Sequence, residues 1–535
     1  MTTVIYFLTR QNDTARISVS IGPSGRNDAY LFNLDSFLRG SSDKCCDESD
    51  TSSSIDEDFD ADTQRIASIV RFFRERATLH VLYGAGSNQH DQLLLNRFTN
   101  ANDGVRCPVD VEEIHDLKQI VLAVPKEGSG SKDSGSSSTT GAVTVQMNDR
   151  PEKLYAGGGH SALLTKSGRL HLWGWNKQGQ LGRNDGTTGF SNSPDNNLPP
   201  VHLVPSLGKD LRVEHAALGF AHTLVIEKGT GVLLTFGDNL RGQVLGTAIV
   251  DNTSDPTIVS QPMVPPFAEG LHFVAAAAGL HHSVAVTDDG WLVAFGDDGC
   301  DHSAWSSAAG VMGERYNRGN VGWWRPADGS RITGVACGRR LTVALDEYER
   351  VWCIGGNKYG QLGRGHAQLD NCTNEWQLVD GLLGSKGSGC VGIDCGWSHC
   401  VALVRHEGDG ISPLSKVHVV YGWGRNDKGQ LGKQRSDSPG STILKPSLIH
   451  GTETNKFCDF CCGAESSMAV DESGRVWGCG WNEHGNLSIG NAIDTDEMTC
   501  TVGEEINSSP SHDSITKQVI ITAGGGHILA MMNSD

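Results

Sequence analysis

Five histidines occupy one position of a repeated pattern, and they are the first candidates for catalytic or metal-binding residues. They are His160, His222, His282, His399 and His527. An imidazole can act as a general base or bind a metal ion. A metal ion needs ligands that converge on one point, whereas equivalent positions of a ring of repeats point in different directions. Because Leu341 and Ser466 fill this position in two further copies, we predict structural histidines that hydrogen-bond within each repeat.

The cysteines offer a second kind of site. The chain has 15 of them, and the densest group is FCDFCCG, with Cys458, Cys461 and Cys462. This group lacks the second pair that zinc-finger spacing requires. Most other cysteines stand in apolar runs, so we predict reduced, buried thiols, no metal site and no cofactor.

The sequence lacks the motifs that would mark an enzyme. It contains no G-x-S-x-G, no Walker loop and no H-E-x-x-H. The glycine-rich stretches at 84–89 and 157–160 look like phosphate loops, but both belong to the repeat and neither opens a helix. We therefore predict no catalytic residue and no catalytic chemistry of the protein's own.

A loop rich in tryptophan and arginine is the strongest candidate for binding a partner. It occupies residues 299–331, where the repeat loses its G-Q-L-G motif. Trp, Tyr and Arg dominate interface hot spots, and the local basic excess favours an acidic or phosphorylated partner. The predicted partner-binding residues are Trp305, Arg315, Tyr316, Arg318, Trp323, Trp324, Arg325 and Arg331. The alternative is that the tryptophans pack on their own repeat, and the sequence leaves both hypotheses open.

The repeat positions all of these residues. Its second half is typified by GWNKQGQLG at 174–182, and its first half, about fourteen residues upstream, by AGGGHSALL at 156–164. The G-x-N glycine recurs in seven copies, at Gly86, Gly174, Gly237, Gly296, Gly355, Gly424 and Gly480. Each copy reads as strand, tight turn, strand. Such a unit cannot bury its own faces, so the copies must stack, which predicts a β-propeller. We expect the Leu of G-Q-L-G to pack inward and the Asn and Gln to bind loop amides.

The pattern AGxxHSxAL followed by WGxNxxGQLG resembles the repeat of the regulator of chromosome condensation family. The resemblance covers about residues 79–130 and 150–535. It implies an all-β fold, a seven-bladed β-propeller, here with a small N-terminal extension. Members of this family commonly close the ring by building one blade from both chain ends. The half-repeats at 80–94 and 519–532 imply the same closure here.

The predicted propeller domain covers residues 79–535, with a flexible Gly- and Ser-rich linker at 126–141. Residues 1–40 form the extension and hold two predicted strands, VIYFLT and ARISVSIG. Residues 41–62 contain nine acidic residues and one Lys, a composition that predicts disorder. Residues 63–78 have helical periodicity and predict an amphipathic helix.

Composition excludes several functional classes. The net charge is -19 and the sequence pI is about 5.5, without a basic tail, so we expect no direct binding to nucleic acid. No apolar run is long enough to span a membrane. No secretory signal is recognisable, so we expect a cytoplasmic or nuclear location, or both.

The predicted function is that of a protein–protein interaction scaffold whose rim loops choose the partner. The family resemblance implies an alternative, guanine-nucleotide exchange on a small GTPase. A third hypothesis is ultraviolet sensing like that of a plant UV-B photoreceptor, based on 12 Trp and the motif GWSHC at 396–400. Trp173, Trp352, Trp423 and Trp477 stand at repeat strand positions, which argues against a sensor cluster on one face.

Overall fold

The computed structural model is built almost entirely of β-strands. It describes residues 7–11, 14–20, 27–33, 77–87, 113–125, 150–183, 202–203, 211–246, 257–297, 321–367, 372–382, 389–407, 416–433, 441–449, 457–489, 491–500 and 518–533. Within these ranges the helical content is one short 3₁₀ segment, Pro266–Ala268. None of the described helices has the length and apolarity to cross a membrane. The predicted acidic segment 41–62, the linker 126–141 and all but the last two residues of the predicted helix 63–78 lie outside the described residues.

The first three blades of the ring are four-stranded antiparallel sheets. Blade 1 consists of Pro151–Ala156, His160–Thr165, Leu170–Gly174 and His202–Leu203. Blade 2 consists of Val213–Leu218, His222–Glu227, Leu233–Asp238 and Ile258–Met263. Blade 3 consists of Phe273–Ala278, His282–Thr287, Leu292–Gly296 and Val321–Trp324.

The next three blades repeat this plan. Blade 4 consists of Ile332–Cys337, Leu341–Asp346, Val351–Gly356 and Cys372–Leu378. Blade 5 consists of Gly389–Cys395, His399–Glu407, Lys416–Arg425 and Thr442–Leu448. Blade 6 consists of Phe457–Cys462, Ser466–Asp471, Val476–Gly480 and Thr495–Cys500. In each blade the first strand lies innermost.

The seventh blade joins the two ends of the chain. Its strands, from the centre outward, are Gln518–Ala523, His527–Asn533, Ala77–Ser87, Glu113–Pro125, Phe7–Gln11, Thr14–Ser20 and Asn27–Asn33. His527 lies opposite Gly86, and Asn533 lies opposite His80. The described strands thus form seven sheets, which confirms the predicted seven-bladed fold. The extension adds three strands to the outer edge of this blade, one more than the sequence predicts.

The core lies between the blades. In blades 1, 3 and 6 the second strand, such as His160–Thr165 or His282–Thr287, is buried at every residue, because it packs against a neighbouring blade on each face. Successive side chains of a strand point to opposite faces. One strand therefore supplies two different interblade cores.

The polar residues of the repeat hold its loops, as expected. In blade 1, Oδ1 of Asn176 accepts the amide of Leu181 at 2.9 Å, and Oε1 of Gln180 accepts the amide of Gln178 at 2.9 Å. Leu181 is buried. The G-x-N glycine has positive φ, as at Gly237 with 115°, where a Cβ would lie 2.5 Å from Cα of His222. Only glycine fits there.

The repeated histidines join neighbouring blades, which corrects the prediction that they bond within a repeat. His222 in blade 2 contacts the hydroxyl of Ser283 in blade 3 at 2.9 Å. That hydroxyl donates to the carbonyl of Gln243 at 2.7 Å, so it accepts the proton carried by Nε2 of His222. His160, His282, His399 and His527 make the same contact to the hydroxyl of the following blade. The sequence could not show this because it gives no distance between copies.

The histidine contacts are expected to make stability depend on pH. Burial lowers the pKa of His222 to about 3, below the ordinary value of about 6.5. Between these values the unfolded chain binds the proton and the folded chain does not. Stability is therefore full above about pH 6.5 and falls as the pH drops towards about 3.

We expect His222→Leu, which copies the residue of blade 4, to reduce the free energy of unfolding at neutral pH by about 1–3 kcal/mol. It should also flatten the pH dependence of stability by up to about 1.4 kcal/mol per pH unit. Denaturant titrations between about pH 7.5 and about pH 4.5 measure both. His272→Leu, at an exposed position directly before the strand Phe273–Ala278, is the control. An unchanged slope in His222→Leu would contradict the assignment.

Candidate interaction surface

The structure separates the eight residues predicted to bind a partner. Trp305, Arg315, Tyr316 and Arg318 lie outside the described residues, and their role stays a prediction. The other four lie in the last strand of blade 3 or in the segment that follows it.

Trp323 and Trp324 are packing residues of blade 3. Trp323 is 5% exposed and belongs to the core shared with blade 2. Trp324 points to the opposite face, where its ring stacks on Trp376 of blade 4 at 4.2 Å and meets Trp352 edge-on at 5.4 Å. The prediction that these tryptophans lead a partner contact is corrected, because strand alternation buries Trp323 in one interblade core and packs the half-buried Trp324 against the next.

Arg325 and Arg331 hold the turn that leads into blade 4. Nε of Arg325 donates to the carbonyl of Ser330 at 3.2 Å, and its guanidinium lies 5.8 Å from the centroid of Trp291. The side chain of Arg331 donates to the carbonyl of Asp288. These contacts give both arginines a local structural role, and their contact with a partner stays a prediction.

The two ends of the ring differ in character. We call the end at which the innermost strand of each blade finishes the upper face, and the other end the lower face. Arg331 precedes the strand Ile332–Cys337 and lies at the lower face, whereas Arg339 and Arg340 follow that strand and lie at the upper face. The sequence motif that contains them, CGRRLTVAL, departs from the repeat, and this departure is the signal that points to the upper face.

Aromatic side chains recur on the upper face in the loops that follow the innermost and third strands. They are Trp175, Phe220, Tyr359, Trp397 and Trp481. All are half-buried or exposed, and Phe220 is 36% exposed. Trp175 and Phe220 meet edge-on across the boundary of blades 1 and 2, with ring centroids 6.0 Å apart. Such amphipathic rings on a rigid frame are suited to protein contacts.

One part of the upper face combines these rings with positive charge. We call it the basic-aromatic sector and define it as Arg339, Arg340, Lys358, Tyr359 and Trp397, from blades 4 and 5. The guanidinium of Arg339 lies 5.9 Å from the centroid of Trp397, and the ammonium of Lys358 lies 5.3 Å from that of Tyr359. Arg339, Arg340 and Lys358 are exposed. Cation–π contacts hold such cations over the rings without neutralising them.

Other cations of this face pair with carboxylates. Arg241 lies 3.4 Å from Asp297, and Lys428 lies 3.3 Å from Asp494. Arg425 binds Asp427 at 2.7 Å and also Glu465. Within the part of the chain that the structure describes, Arg339 and Lys358 form no ion pair. The sector is thus a local positive patch on an acidic protein.

The centre of the ring carries no catalytic arrangement within the described ranges. The innermost strands surround a cavity of about 270 Å³ lined mostly by small residues and backbone. Asp394 accepts the amides of Cys395 and Cys462, both at 2.8 Å. Burial raises the pKa of Asp394 to about 6. Among the described residues no group of three His, Cys, Asp or Glu side chains is placed to hold a metal ion.

These features define a class of protein: a closed seven-bladed propeller whose distinctive chemistry lies on one face. The RCC1-like domain family matches residues 81–530. The chain therefore belongs to the RCC1-like domain family, as its repeat predicts.

Several relatives share this repeat at low identity. The chain is 27% identical over 340 residues to the Ultraviolet-B receptor UVR8 of Arabidopsis thaliana, covering 63% of this chain and 67% of that one. It is 27% identical over 404 residues to the Secretion-regulating guanine nucleotide exchange factor of Mus musculus, covering 71% of this chain and 75% of that one. The match to the human E3 ubiquitin-protein ligase HERC2 spans only 6% of that protein.

Solved structures share the fold. Prp20p from Saccharomyces cerevisiae, whose structure is described together with its binding to Gsp1p and histones, superposes with a TM-score of 0.59 at 15% identity. The superposition covers 87% of this chain and 94% of that one. Identity at this level supports the common architecture alone.

Proposed function

We propose that this protein is a protein–protein interaction scaffold that binds its partner on the upper face, through the basic-aromatic sector. The observation that carries the proposal is the exposure of Arg339 and Lys358 beside Trp397 and Tyr359. Arginine and the large aromatics are the side chains that dominate binding hot spots. The β-sheet framework holds them in fixed positions, so little ordering is needed on binding.

Charge complementarity selects the partner. The chain carries a net charge of -19, so an acidic partner is repelled at long range. At physiological salt this repulsion is screened beyond about 8 Å. A local basic patch then decides where an acidic surface can dock. The cations around this patch are already paired with carboxylates, so they attract an acidic partner less than the patch does. The proposed partner is therefore a protein with an acidic patch.

We expect Arg339→Glu with Arg340→Glu to weaken partner capture by on the order of 2 kcal/mol or more. Affinity purification followed by mass spectrometry identifies the partners that the wild-type protein retains, and the variant is compared at equal loading. Lys166→Glu with Lys228→Glu makes the same charge change on exposed lysines of lower-face turns and is the matched control. Loss of capture in the control alone, or equal capture by all three proteins, would contradict the proposal.

Guanine-nucleotide exchange on a small GTPase is the second candidate. It is supported by the relative named as an exchange factor and by the fold shared with Prp20p. The measurement is the release of fluorescent GDP from a panel of small GTPases, with and without this protein. Acceleration of release from one of them supports exchange. A partner retained on the sector with unchanged nucleotide release supports the scaffold alone.

A further inference from the structure

Two cysteines face each other at the base of the loop that carries Trp397. The loop reads C-G-W-S-H-C, from Cys395 at the end of one strand to Cys400 in the next. The two residues are direct partners in the antiparallel register. Their Sγ atoms lie 3.6 Å apart.

The backbone geometry at this pair permits a disulfide. Gly396 donates its amide to the carbonyl of His399 at 3.0 Å. Hydrogen-bonded and non-hydrogen-bonded pairs alternate along antiparallel strands, so Cys395 and Cys400 form a non-hydrogen-bonded pair with Cα atoms about 4.5 Å apart. Disulfides usually join Cα atoms about 4.4–6.8 Å apart. A bond would require side-chain rotation and only small backbone movement.

The pair is specific to blade 5. In the other blades these two positions hold Ala156 and Ser161, Leu218 and Thr223, Ala278 and Ser283, Cys337 and Thr342, Cys462 and Ser467, and Ala523 and Ile528. Leu341 of blade 4 also replaces the histidine that would donate to residue 400. Instead the Cys395 thiol donates to Cys400, whose own thiol donates to the carbonyl of Gln361 at 3.6 Å.

One of the two thiols can be reached through the centre of the ring. Cys395 lines the central cavity and is 7% exposed, whereas Cys400 is fully buried behind it. The cavity of about 270 Å³ is large enough for a small oxidant. This arrangement places an attacking thiol at the cavity and a resolving thiol next to it.

We propose that Cys395 and Cys400 form a modification site at which a hydroperoxide produces a disulfide. Sulfur of Cys395 attacks the O–O bond, giving a sulfenic acid and releasing water when the oxidant is hydrogen peroxide. Sulfur of Cys400 then displaces the sulfenic oxygen, which leaves as a second water. Two thiols are oxidised and one peroxide is reduced, so atoms and electrons balance.

The surroundings set the rate of this reaction. Burial raises the pKa of Cys400 to about 11 and raises that of Cys395 as well. The thiolate is the reactive form, so oxidation is slow at neutral pH and accelerates as the pH rises. The disulfide closes the six-residue loop that places Trp397 over Arg339. Any effect on partner capture rests on the proposed function, but the chemistry does not.

The test treats the purified full-length protein with hydrogen peroxide at mildly alkaline pH, followed by alkylation, digestion and mass spectrometry. Trypsin releases a fragment, residues 387–405, that contains both cysteines and also Cys390. Cleavage after Trp397 separates Cys400 from the other two unless a disulfide joins the halves. We expect the two halves to stay joined and to lose two hydrogen atoms. The exposed thiol of Cys458 reports that the oxidant acted.

Cys395→Ala and Cys400→Ser copy residues found in other blades, and each should abolish the linkage while the protein stays folded. The proposal is overturned if both thiols are alkylated after Cys458 has been oxidised. It is also overturned if the disulfide joins Cys395 to Cys390 or Cys462, or joins Cys400 to Cys390, instead. No partner is needed for either result, so this test stands apart from that of the scaffold.

Discussion

Deleting residues 518–535 is expected to leave the chain without a closed ring and unable to unfold cooperatively. The deletion removes the two central strands of blade 7, whose buried side chains include Ile528, Leu529 and Met531. It also removes His527, which contacts Ser161 of blade 1 at 2.9 Å. The strand Ala77–Ser87 and the faces of blades 1 and 6 would lose their neighbours. Open strand edges favour aggregation, and the lost core exceeds the margin of about 5–15 kcal/mol by which proteins are stable.

Thermal unfolding and size-exclusion chromatography measure this outcome. A matched deletion of residues 1–33 removes three strands from the outer edge of the same sheet and leaves the ring closed. It should therefore keep a cooperative transition. A monomeric 1–517 protein with the wild-type melting temperature would show that the ring does not depend on its closure.

Replacing Trp323 by alanine is expected to destabilise the fold by about 3–5 kcal/mol. Its indole fills the core between blades 2 and 3, near Phe273 and Phe295, and the neighbouring strands cannot collapse into the space because each is fixed in its own sheet. Partner capture by the protein that remains folded should be unchanged. Denaturant titration gives the stability, and affinity purification at low temperature gives the capture.

Trp397→Ala is the control with the opposite expected outcome. Trp397 is half-buried on the upper face and contacts Arg339 there. We expect a smaller loss of stability than for Trp323→Ala and a clear loss of capture. If Trp323→Ala abolished capture while leaving the melting temperature unchanged, the assignment of Trp323 to the core would be wrong.

The fold could be predicted from the sequence because the sequence motif of one blade recurs seven times. Each G-x-N glycine and each buried Leu of G-Q-L-G obeys a local rule of backbone angles and packing, and such rules are visible in one chain. The third strand of the extension, Asn27–Asn33, could not be predicted, because NDAYLFN lacks a clear alternation of apolar and polar residues. Its pairing with Thr14–Ser20 stabilises it as a strand.

The candidate surface was less accessible because it depends on which end of a strand a residue occupies. Arg331 and Arg339 are close in sequence, but the strand between them carries them to opposite faces. Trp323 and Trp324 are adjacent, but the pleat sends them into different cores. Composition alone groups these tryptophans and arginines into one basic, aromatic segment. Their different positions follow only once the strand Val321–Trp324 is known to pair with Leu292–Gly296 as the outer strand of blade 3.

Amide hydrogen exchange of the protein, alone and with its purified partner, tests the central claim most directly. The account predicts slower exchange on the upper face of blades 4 and 5, in residues 339–340, 356–360 and 396–398. It predicts unchanged exchange in the lower-face turns 227–231, 346–350 and 471–475. Protection confined to those turns, with the basic-aromatic sector exchanging as in the free protein, would contradict the account.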